Sequence, residues 1–355
     1  MPRRVLMTVD GVGGVWRYAL DLAHGLAGRN VACRLLGLGP RSDADPEGVD
    51  LVWTDLALDW LTEDEAALDG IAARLAAEAR VFDADLLHLN VASQAAGLTR
   101  TLPVVVVAHS CVPTWWRAVK DSPWPSAWAW QPRRNRDGLD RADATVAPSA
   151  SHAAALAAVY GPLEGLHVVY NATDAASCDA PKQPFVLAAG RWWDEGKDAA
   201  TLDRAAHASV WPVRMAGARR GPSGETVVTA HAEALGSLPP ERLRALMQEA
   251  AIFVSTSRYE PFGLAVLEAA SHHAALVLAD IPSFRELWRE AALFVPPGHA
   301  DGFADAIATL AGDPGLRRRL ALAAGAIARE FAPVRHLNGV LAAYDAATAR
   351  HRARG

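Results

Sequence analysis

Two glutamates flank a Pro-Phe-Gly turn in the second half of the chain. Glu260 precedes the turn, and Glu268 follows it inside an apolar stretch. The turn favours a helix start at which the amides of Phe262, Gly263 and Leu264 point outward, because proline lacks an amide hydrogen and glycine tolerates unusual dihedral angles. Such amides bind anions such as phosphate. Because two carboxylates repel a phosphate unless they bind hydroxyl groups, the pattern predicts a nucleotide sugar.

A second charged cluster follows an apolar run at residues 185–189. Arg191 can grip phosphate oxygens with two N–H groups, and Lys197 adds a compact positive charge at a predicted helix start. Only three of the 35 lysines and arginines are lysines, so a lysine at this position is informative. Together the two side chains can neutralise a departing diphosphate. The alternative is an ordinary surface pair facing Asp194 and Glu195.

A glycine-rich turn follows the first apolar run of the chain. Gly11, Gly13 and Gly14 allow the backbone to approach a ligand closely, and a turn of this kind can bind phosphate. A dinucleotide fold requires a third glycine at the position of Trp16, which argues against a nicotinamide cofactor. The alternative is a tight turn that only permits packing.

One histidine directly follows an apolar run. His109 comes after residues 104–108, at the carboxyl end of a predicted strand. A histidine in this position can form a hydrogen bond with a sugar hydroxyl or with a developing charge. The alternative is a buried histidine whose ring is satisfied by backbone groups. The other histidines of the chain lack a comparable position.

These residues must be positioned by an alternating pattern of strands and helices. Short β-branched runs alternate with stretches rich in alanine and leucine, which indicates parallel sheets covered by helices on both faces. Strands are predicted at residues 5–9, 104–108, 145–147, 167–170, 185–189 and 252–254, and a helix near residues 15–26. In such sheets ligands bind beyond the carboxyl ends of the strands.

A polar break divides this pattern into two sets. Residues 171–184 are small, polar and interrupted by prolines, which is typical of a linker between α/β domains. We therefore expect two doubly wound, Rossmann-like domains, at residues 1–180 and 181–334, that face a central cleft. A C-terminal helix at about 335–355 is expected to pack near the first domain.

Composition limits the class of protein. A chain of 355 residues, 51% of them hydrophobic, can form two domains with full cores. The net charge of −5 and the pI near 6.2 give no electrostatic footprint for nucleic acid. Three widely spaced cysteines support neither a disulfide framework nor a zinc site. No charge-free stretch is long enough to span a bilayer, so we expect a cytoplasmic protein, at most peripheral at the inner membrane.

The pattern resembles the retaining family-4 glycosyltransferases of the GT-B fold, over most of the chain. The resemblance is carried by Gly190-Arg191, Lys197, Glu260-Pro-Phe-Gly, Glu268, the glycine loop at 11–14, His109 and Leu235-Gly236. Residues 168–174, Val-Val-Tyr-Asn-Ala-Thr-Asp, are similar to the family's Pro-Asn-Gly-Val-Asp hinge. The resemblance implies that the second domain binds the nucleotide sugar and that the first faces the acceptor.

The resemblance also implies roles for individual residues. In the second domain, Arg191 and Lys197 would bind the diphosphate and Glu268 the ribose hydroxyls. Glu260 and the amides of the turn would hold the transferred hexose.

Residues of the first domain receive roles from the same resemblance. Gly13 and Gly14 would close over the diphosphate, and His109 would lie near the anomeric face of the sugar. The sequence contains no obvious nucleophile paired with a base. The resemblance therefore implies front-face transfer with retention of configuration.

The predicted chemistry requires neither a metal nor another cofactor. Arg191, Lys197 and a helix N-terminus can stabilise the negative charge on a departing diphosphate. The strings Asp43-Ala-Asp45 and Asp83-Ala-Asp85 are similar to the metal ligands of the other glycosyltransferase fold. They are predicted to lie in a polar loop and just before a strand, which argues against metal binding.

Some positions depart from the family's pattern. Ser110 stands where an aspartate often follows the histidine, and Ala172 replaces the usual hinge glycine. Residues 216–218 are Ala-Gly-Ala where many members have Gly-Asp-Gly near the base. Residues 271–275 lack the usual glycine and proline. These departures affect the base preference and domain closure, but none removes a predicted phosphate or ribose contact.

One segment of the domain expected to face the acceptor is unusually rich in aromatic residues. Residues 113–136 contain five of the twelve tryptophans and several arginines. Because aromatic faces bind sugar rings and cations bind acidic groups, we interpret Trp115, Trp116, Arg117 and Lys120 as a wall for the unidentified acceptor. In one alternative the tryptophans only cap the first domain's core. In another they make a weak contact with a membrane beside a lipid-linked acceptor.

Two other classes of function fit the same donor contacts. An epimerase or hydrolase that acts on nucleotide sugars would need no acceptor wall. A noncatalytic protein would bind the donor, as UDP- or GDP-sugar, and release nothing. The combination of Arg191, Lys197, Glu260 and Glu268 favours a transferase, because a binding protein has no need to stabilise a leaving group.

Overall fold

The computed structural model describes residues 1–41, 46, 48–174 and 181–354, and it divides the chain into two compact units. The first unit comprises Met1–Asn171 and Pro333–Gly355, and the second comprises Ala172–Ala332. The chain passes from the first unit to the second after Asn171, within the segment interpreted as a hinge. Asp43, Asp45 and Cys178 lie outside the described residues.

The first unit contains a seven-stranded parallel sheet in the order β3-β2-β1-β4-β5-β6-β7. Its strands are β1 Arg4–Asp10, β2 Ala32–Leu38, β3 Asp50–Trp53, β4 Leu86–Leu89, β5 Val104–Val107, β6 Ala144–Ala147 and β7 Leu166–Val168. Five of its helices are α1 Gly14–Ala27, α2 Ile71–Phe82, α3 Val112–Val119, α4 Trp130–Arg141 and α5 Ala150–Tyr160. The four valines of β5 are all buried, as expected for a strand covered on both faces.

The second unit contains a six-stranded parallel sheet in the order β10-β9-β8-β11-β12-β13. Its strands are β8 Gln183–Ala189, β9 Val213–Ala216, β10 Glu233–Gly236, β11 Ala250–Ser255, β12 Ala275–Ala279 and β13 Ala292–Val295. Its helices are α6 Ala199–Ala208, α7 Pro240–Glu249, α8 Leu264–Ser271, α9 Pro282–Trp288, α10 Ala300–Gly312 and α11 Pro314–Ala328. The strand order places β8 at the centre, where the order reverses, so its carboxyl end is the expected ligand position.

The last helix, α12 Pro333–Arg354, returns to the first unit. Its residues Val340, Leu341, Tyr344 and Ala347 are buried in the same hydrophobic cluster as residues of β1, β5 and α1. Tyr344 is fully buried. The first unit is therefore assembled from two separate parts of the sequence.

Both sheets confirm the α/β class predicted from the alternating pattern, and the predicted strands correspond to described ones. The strand predicted at residues 167–170 is too long at its carboxyl end, because β7 ends at Val168. The carbonyl oxygen of Tyr170 instead accepts a hydrogen bond from His336 Nδ1 of α12, at 2.9 Å. Across the part of the chain that the structure describes, no helix combines the length and the apolar character needed to cross a membrane.

Candidate functional site

The carboxyl ends of β8 and β9 are joined by close backbone contacts. Gly190 follows β8, and its amide donates to the carbonyl oxygen of Ala216 at 3.1 Å. Gly217 has a φ of +118°, and a Cβ atom there would lie 1.9 Å from the Gly190 carbonyl oxygen. No larger residue fits at Gly217, so the glycine fixes the start of the loop that carries Arg191 and Lys197.

Local hydrogen bonds hold Lys197 between β8 and α6. The Asp194 carboxylate accepts from the Gly196 amide at 2.9 Å and begins a short 3₁₀ turn, Glu195–Lys197. Asp198 then adopts a left-handed conformation, and its carboxylate accepts from the amide and the hydroxyl of Thr201 at 3.2 and 2.8 Å. This cap starts α6 and leaves Lys197 at the edge of the sheet.

The end of β11 is bound to the same loop. The Thr256 hydroxyl donates to the carbonyl oxygens of Lys197 and Asp198, at 2.9 and 3.1 Å. The Arg258 amide donates to the carbonyl oxygen of Gly196 at 2.8 Å. These bonds place the loop after β8 beside the segment that contains the Pro-Phe-Gly turn.

The consequence is an ion pair between Lys197 and Glu260. The Lys197 ammonium group donates directly to Glu260 Oε2, and the two side chains are only 17% and 18% exposed. The Ser283 hydroxyl donates to the backbone carbonyl oxygen of Glu260, which fixes that end of the turn. The structure thus pairs Lys197 with a distant carboxylate, and not with Asp194 or Glu195, as the surface-pair alternative required.

Arg191 has a different environment. Its Nη2 atom lies 3.5 Å from Asp194 Oδ2, and its guanidinium carbon lies 5.4 Å from the centre of the Trp193 ring. At 37% exposure, the side chain remains accessible to a ligand. The surface-pair alternative therefore describes Arg191 better than it describes Lys197.

The predicted helix start after Glu260 is present. Gly263 is the N-cap residue of α8, with φ 94° and ψ 63°, and no side chain caps the helix at this residue. A Cβ atom at Gly263 would lie 2.9 Å from Phe284 Cε1. Phe262 is buried, and its ring contacts Phe331 edge-on at 5.5 Å between centroids. The turn is therefore held by packing, and α8 begins at Leu264.

Glu268 lies on α8 and is half-buried. It is one helical turn beyond Leu264, so its side chain is on the same face of the helix as the first residue. The structure places both carboxylates, Lys197 and Arg191 within the second unit. Ribose binding by Glu268 stays a prediction.

In the first unit, the glycine turn after β1 forms the N-terminus of α1. The Asp10 carboxylate accepts from the Val12 amide at 2.9 Å, and Gly13 has a φ of 83° at the N-cap position. Gly13 and Gly14 are exposed. Their predicted contact with a diphosphate stays untested.

Among the described residues, the His109 ring is hydrogen-bonded to a side chain and not to the backbone. Its Nε2 atom lies 2.9 Å from Asn90 Oδ1, and its ring contacts Tyr18 edge-on with 4.4 Å between centroids. Burial lowers the pKa of His109 to about 3, with smaller contributions from His88, His336 and His152. The imidazole is therefore neutral at physiological pH. Sequence reasoning missed Asn90, although its position directly after β4 was a usable signal.

Both units therefore carry candidate site residues at the carboxyl ends of their strands, and comparisons with known proteins identify the family. The model "Glycosyltransferase Family 4" matches residues 12–177, and the model "Glycosyl transferases group 1" matches residues 223–325. The chain belongs to the family-4 glycosyltransferases of the GT-B fold.

Solved structures agree with this family-4 fold. Sucrose-phosphate synthase from Thermosynechococcus elongatus superposes with a TM-score of 0.77 at 16% identity, over 93% of this chain and 94% of that one. HepE of Anabaena, solved with UDP and glucose, gives a TM-score of 0.73 at 16% identity, over 97% and 100% of the two chains. A glycosyltransferase from Rickettsia africae ESF-5 gives 0.73 at 16% identity, over 97% and 98%.

A curated relative matches only a short segment of this family-4 chain. The GDP-mannose:cellobiosyl-diphosphopolyprenol alpha-mannosyltransferase of Xanthomonas oryzae pv. oryzae is 52% identical over 50 residues. This segment is 14% of the present chain and 13% of that relative.

The tryptophan-rich segment at residues 113–136 forms a cluster in which several aromatic rings contact one another. The Trp116 ring contacts Trp124 and Trp128 edge-on, at 5.4 and 5.7 Å between centroids. The Lys120 ammonium group lies 5.5 Å from the centre of Trp115 and 5.7 Å from that of Trp116. The indole N–H of Trp116 donates to the Ser122 carbonyl oxygen at 3.1 Å.

Arg117, the remaining predicted acceptor residue, is exposed. Its Nη1 atom donates to the carbonyl oxygen of Ala158 at 3.1 Å. The structure thus brings Trp115, Trp116 and Lys120 together, with Arg117 on the same helix α3. An acceptor wall stays a prediction.

Of the two Asp-x-Asp strings, the structure describes only the one at Asp83 and Asp85. The Asp85 carboxylate accepts from the amides of Arg3 and Arg4, at 2.8 and 3.2 Å, and so fixes the start of β1. Within the described ranges, no group of three or more His, Cys, Asp or Glu side chains is arranged to hold a metal ion.

Proposed function

We propose that this protein is a retaining hexosyltransferase that uses a nucleoside-diphosphate sugar, a UDP- or GDP-sugar, as donor. The observation that carries the proposal is the ion pair between Lys197 and Glu260, formed beside the start of α8. In this proposal Lys197 is the cation for the leaving diphosphate, and Glu260 beside it is the carboxylate for sugar hydroxyls. The GDP-mannose in the name of the mannosyltransferase relative, and the UDP bound by HepE, support a donor of this class.

The proposed reaction is the front-face transfer that the resemblance to the family implies. The bond between the anomeric carbon and the diphosphate oxygen breaks, and an acceptor hydroxyl oxygen forms the new bond from the same face of the sugar. The acceptor proton passes to the departing phosphate oxygen. Negative charge then accumulates on the diphosphate, where Lys197, Arg191 and the amides at the start of α8 stabilise it without a metal.

The acceptor is proposed to bind along α3. Trp115 and Trp116 expose part of their rings, and Lys120 adds a positive charge between them. Such a surface suits a sugar ring that bears an acidic or phosphorylated group. Trp115→Ala is expected to raise the KM for the acceptor and to leave acceptor-independent donor release unchanged.

The function is tested by nucleotide release from a panel of UDP-, GDP- and ADP-sugars, in the presence of EDTA and with a mixture of saccharide acceptors. Release from one donor that rises with an acceptor, with the anomeric configuration of the product retained by NMR, is the expected result. Equal release without acceptor indicates a hydrolase, and interconversion of donor sugars indicates an epimerase. Donor binding without turnover under all conditions overturns the proposal in favour of a binding protein.

A further inference from the structure

A buried side-chain amide connects His109 to the interior of the first unit. Asn90 directly follows β4 and is 2% exposed. Its Oδ1 atom lies 2.9 Å from His109 Nε2 and 3.2 Å from His88 Nε2. One carbonyl oxygen, with two lone pairs, thus faces two imidazole nitrogens.

The orientation of the Asn90 amide is fixed by β1. Its Nδ2 atom donates to the carbonyl oxygen of Thr8 at 2.6 Å, and its backbone amide donates to the Thr8 hydroxyl oxygen at 2.9 Å. The Thr8 hydroxyl in turn donates to Gln94 Oε1 at 2.7 Å. If the amide were flipped, two carbonyl oxygens would face each other at hydrogen-bond distance, so Oδ1 must face the histidines.

This orientation determines which ring nitrogens carry hydrogen. A carbonyl oxygen only accepts, so Nε2 of both histidines must be the donor. His88 provides an internal check, because its Nδ1 lies 2.7 Å from the Tyr344 hydroxyl, which can donate to it. The Tyr18 hydroxyl, 3.5 Å from His88 Nε2, can accept a share of the same hydrogen.

We propose that Asn90 is a positioning residue that fixes His109 as the Nε2–H tautomer, so that Nδ1 accepts a hydrogen bond from a hydroxyl group of the substrate. Within the part of the chain that the structure describes, Nδ1 of His109 makes no hydrogen bond. A neutral nitrogen lone pair attracts a hydroxyl hydrogen and repels an oxyanion or a phosphate oxygen. His109 therefore selects a sugar hydroxyl and does not stabilise a developing negative charge.

The tautomer can be measured without any substitution and without the reaction. In the wild-type protein labelled with ¹⁵N-histidine, two-bond correlation spectra at pH 7 distinguish a protonated ring nitrogen from an unprotonated one. The His109 signals, assigned by their loss in His109→Ala, are expected to show a protonated Nε2 and an unprotonated Nδ1. The Nδ1–H tautomer, a mixture of tautomers or a charged ring at pH 7 would overturn the proposal.

The catalytic consequence rests on the proposed function and needs a second test. Asn90→Ala is expected to lower kcat/KM for the donor about tenfold, since a misdirected ligand group typically costs 10- to 100-fold. If Asn90 acts through His109, the double variant Asn90→Ala/His109→Ala should be no slower than His109→Ala alone. Additive losses would mean that Asn90 has only a structural role.

The two tests separate the two proposals. If the wild-type protein turns over none of the donors, the proposed function fails, while the NMR spectrum still decides the tautomer. If donor turnover is found and Asn90→Ala retains wild-type kcat/KM, the positioning role fails, while the proposed function stands.

Discussion

The ammonium group of Lys197 and the carboxylate of Glu260 form an ion pair that joins the loop after β8 to the loop before α8. The two residues are 63 positions apart in the sequence. Each side chain holds the other in place before any ligand arrives, so neither has to be ordered by the donor. The proposed transferase chemistry therefore starts from a site whose charges are already oriented.

Loss of Lys197 should remove most of the activity. Lys197→Ala is expected to lower kcat for nucleotide release about 100-fold, because one preorganised charge on a leaving group is worth about 3 kcal/mol. Arg214→Ala is the matched control, since it removes a different ion pair of the second unit, with Glu233 at 3.3 Å. The control should retain wild-type kcat. Equal losses in the two variants would contradict the assignment.

Stability and activity should separate when both charges of the pair are removed. Lys197→Met leaves Glu260 partly buried without its partner and should cost about 1–3 kcal/mol of unfolding free energy. Lys197→Met/Glu260→Met should recover most of this loss, because two apolar chains pack together, yet it should stay inactive. Urea unfolding and nucleotide release, measured on the same preparations, test both statements. A double variant less stable than Lys197→Met would show that the pair is not the main energetic link.

Gly263 is expected to be essential for the shape of the turn that is proposed to bind the diphosphate. Gly263→Ala must adopt a φ near 94° and place a Cβ atom 2.9 Å from Phe284 Cε1, so the turn has to shift. The expected result is a loss of about 2 kcal/mol in stability and about tenfold in donor affinity. Gly298→Ala has a similar φ of +80° but open space around the new Cβ atom, and it should lose stability without losing affinity. Isothermal titration with the nucleoside diphosphate compares the two variants.

Buried histidines should make the first unit sensitive to acid. Burial lowers the pKa of His88 to about 3 and that of His152 to about 4, like the pKa of His109, whereas an unfolded histidine titrates near 6.5. The unfolded chain thus binds more protons below pH 6.5, and stability falls as the pH decreases toward the folded pKa values. Each histidine should cost on the order of 1–2 kcal/mol between pH 6.5 and 5.

The measurement for this prediction is urea unfolding of wild type and His152→Gln at pH 7.5 and 5. The variant cannot protonate at this position, so its loss of stability on acidification should be smaller by the contribution of one histidine. Identical losses in the two proteins would show that His152 does not titrate in this range on unfolding.

His273 should be a site of avoidable strain. It has a φ of 59°, and among the described residues its buried Nδ1 atom has no hydrogen-bond partner. His273→Gly is expected to raise the free energy of unfolding by about 1 kcal/mol, because glycine adopts this conformation freely. His273→Ala removes the same ring and keeps the strained Cβ atom. A stability equal to or above that of His273→Gly would contradict backbone strain as the cause.

The sequence predicted the strands and the helix starts because their signals are local. The run of valines in β5 and the Pro-Phe-Gly turn before α8 each specify their own conformation. Partner choice is not local. The sequence offers Asp194 and Glu195 as partners of Lys197, because they are near it in the chain, whereas the hydrogen bonds of Thr256 hold the loop of Lys197 beside Glu260.

The environment of His109 was also beyond sequence reasoning. Whether its ring is charged depends on burial beside three other histidines, and its proposed tautomer depends on Asn90, which follows a different strand. The sequence alone shows that residues 113–136 are rich in tryptophan. That their rings pack on one another and that the Trp116 N–H bonds to a local carbonyl depends on the turn after α3.

The return of α12 to the first unit has a consequence for protein synthesis. Tyr344 supplies the hydroxyl beside His88, and α12 covers part of a sheet whose strands are all made before residue 171. On the ribosome, the second unit, continuous from Ala172 to Ala332, emerges complete while the first still lacks its last helix. We therefore expect the usual N-to-C order to be reversed, with the nascent first unit incomplete, and available to chaperones, until α12 has emerged.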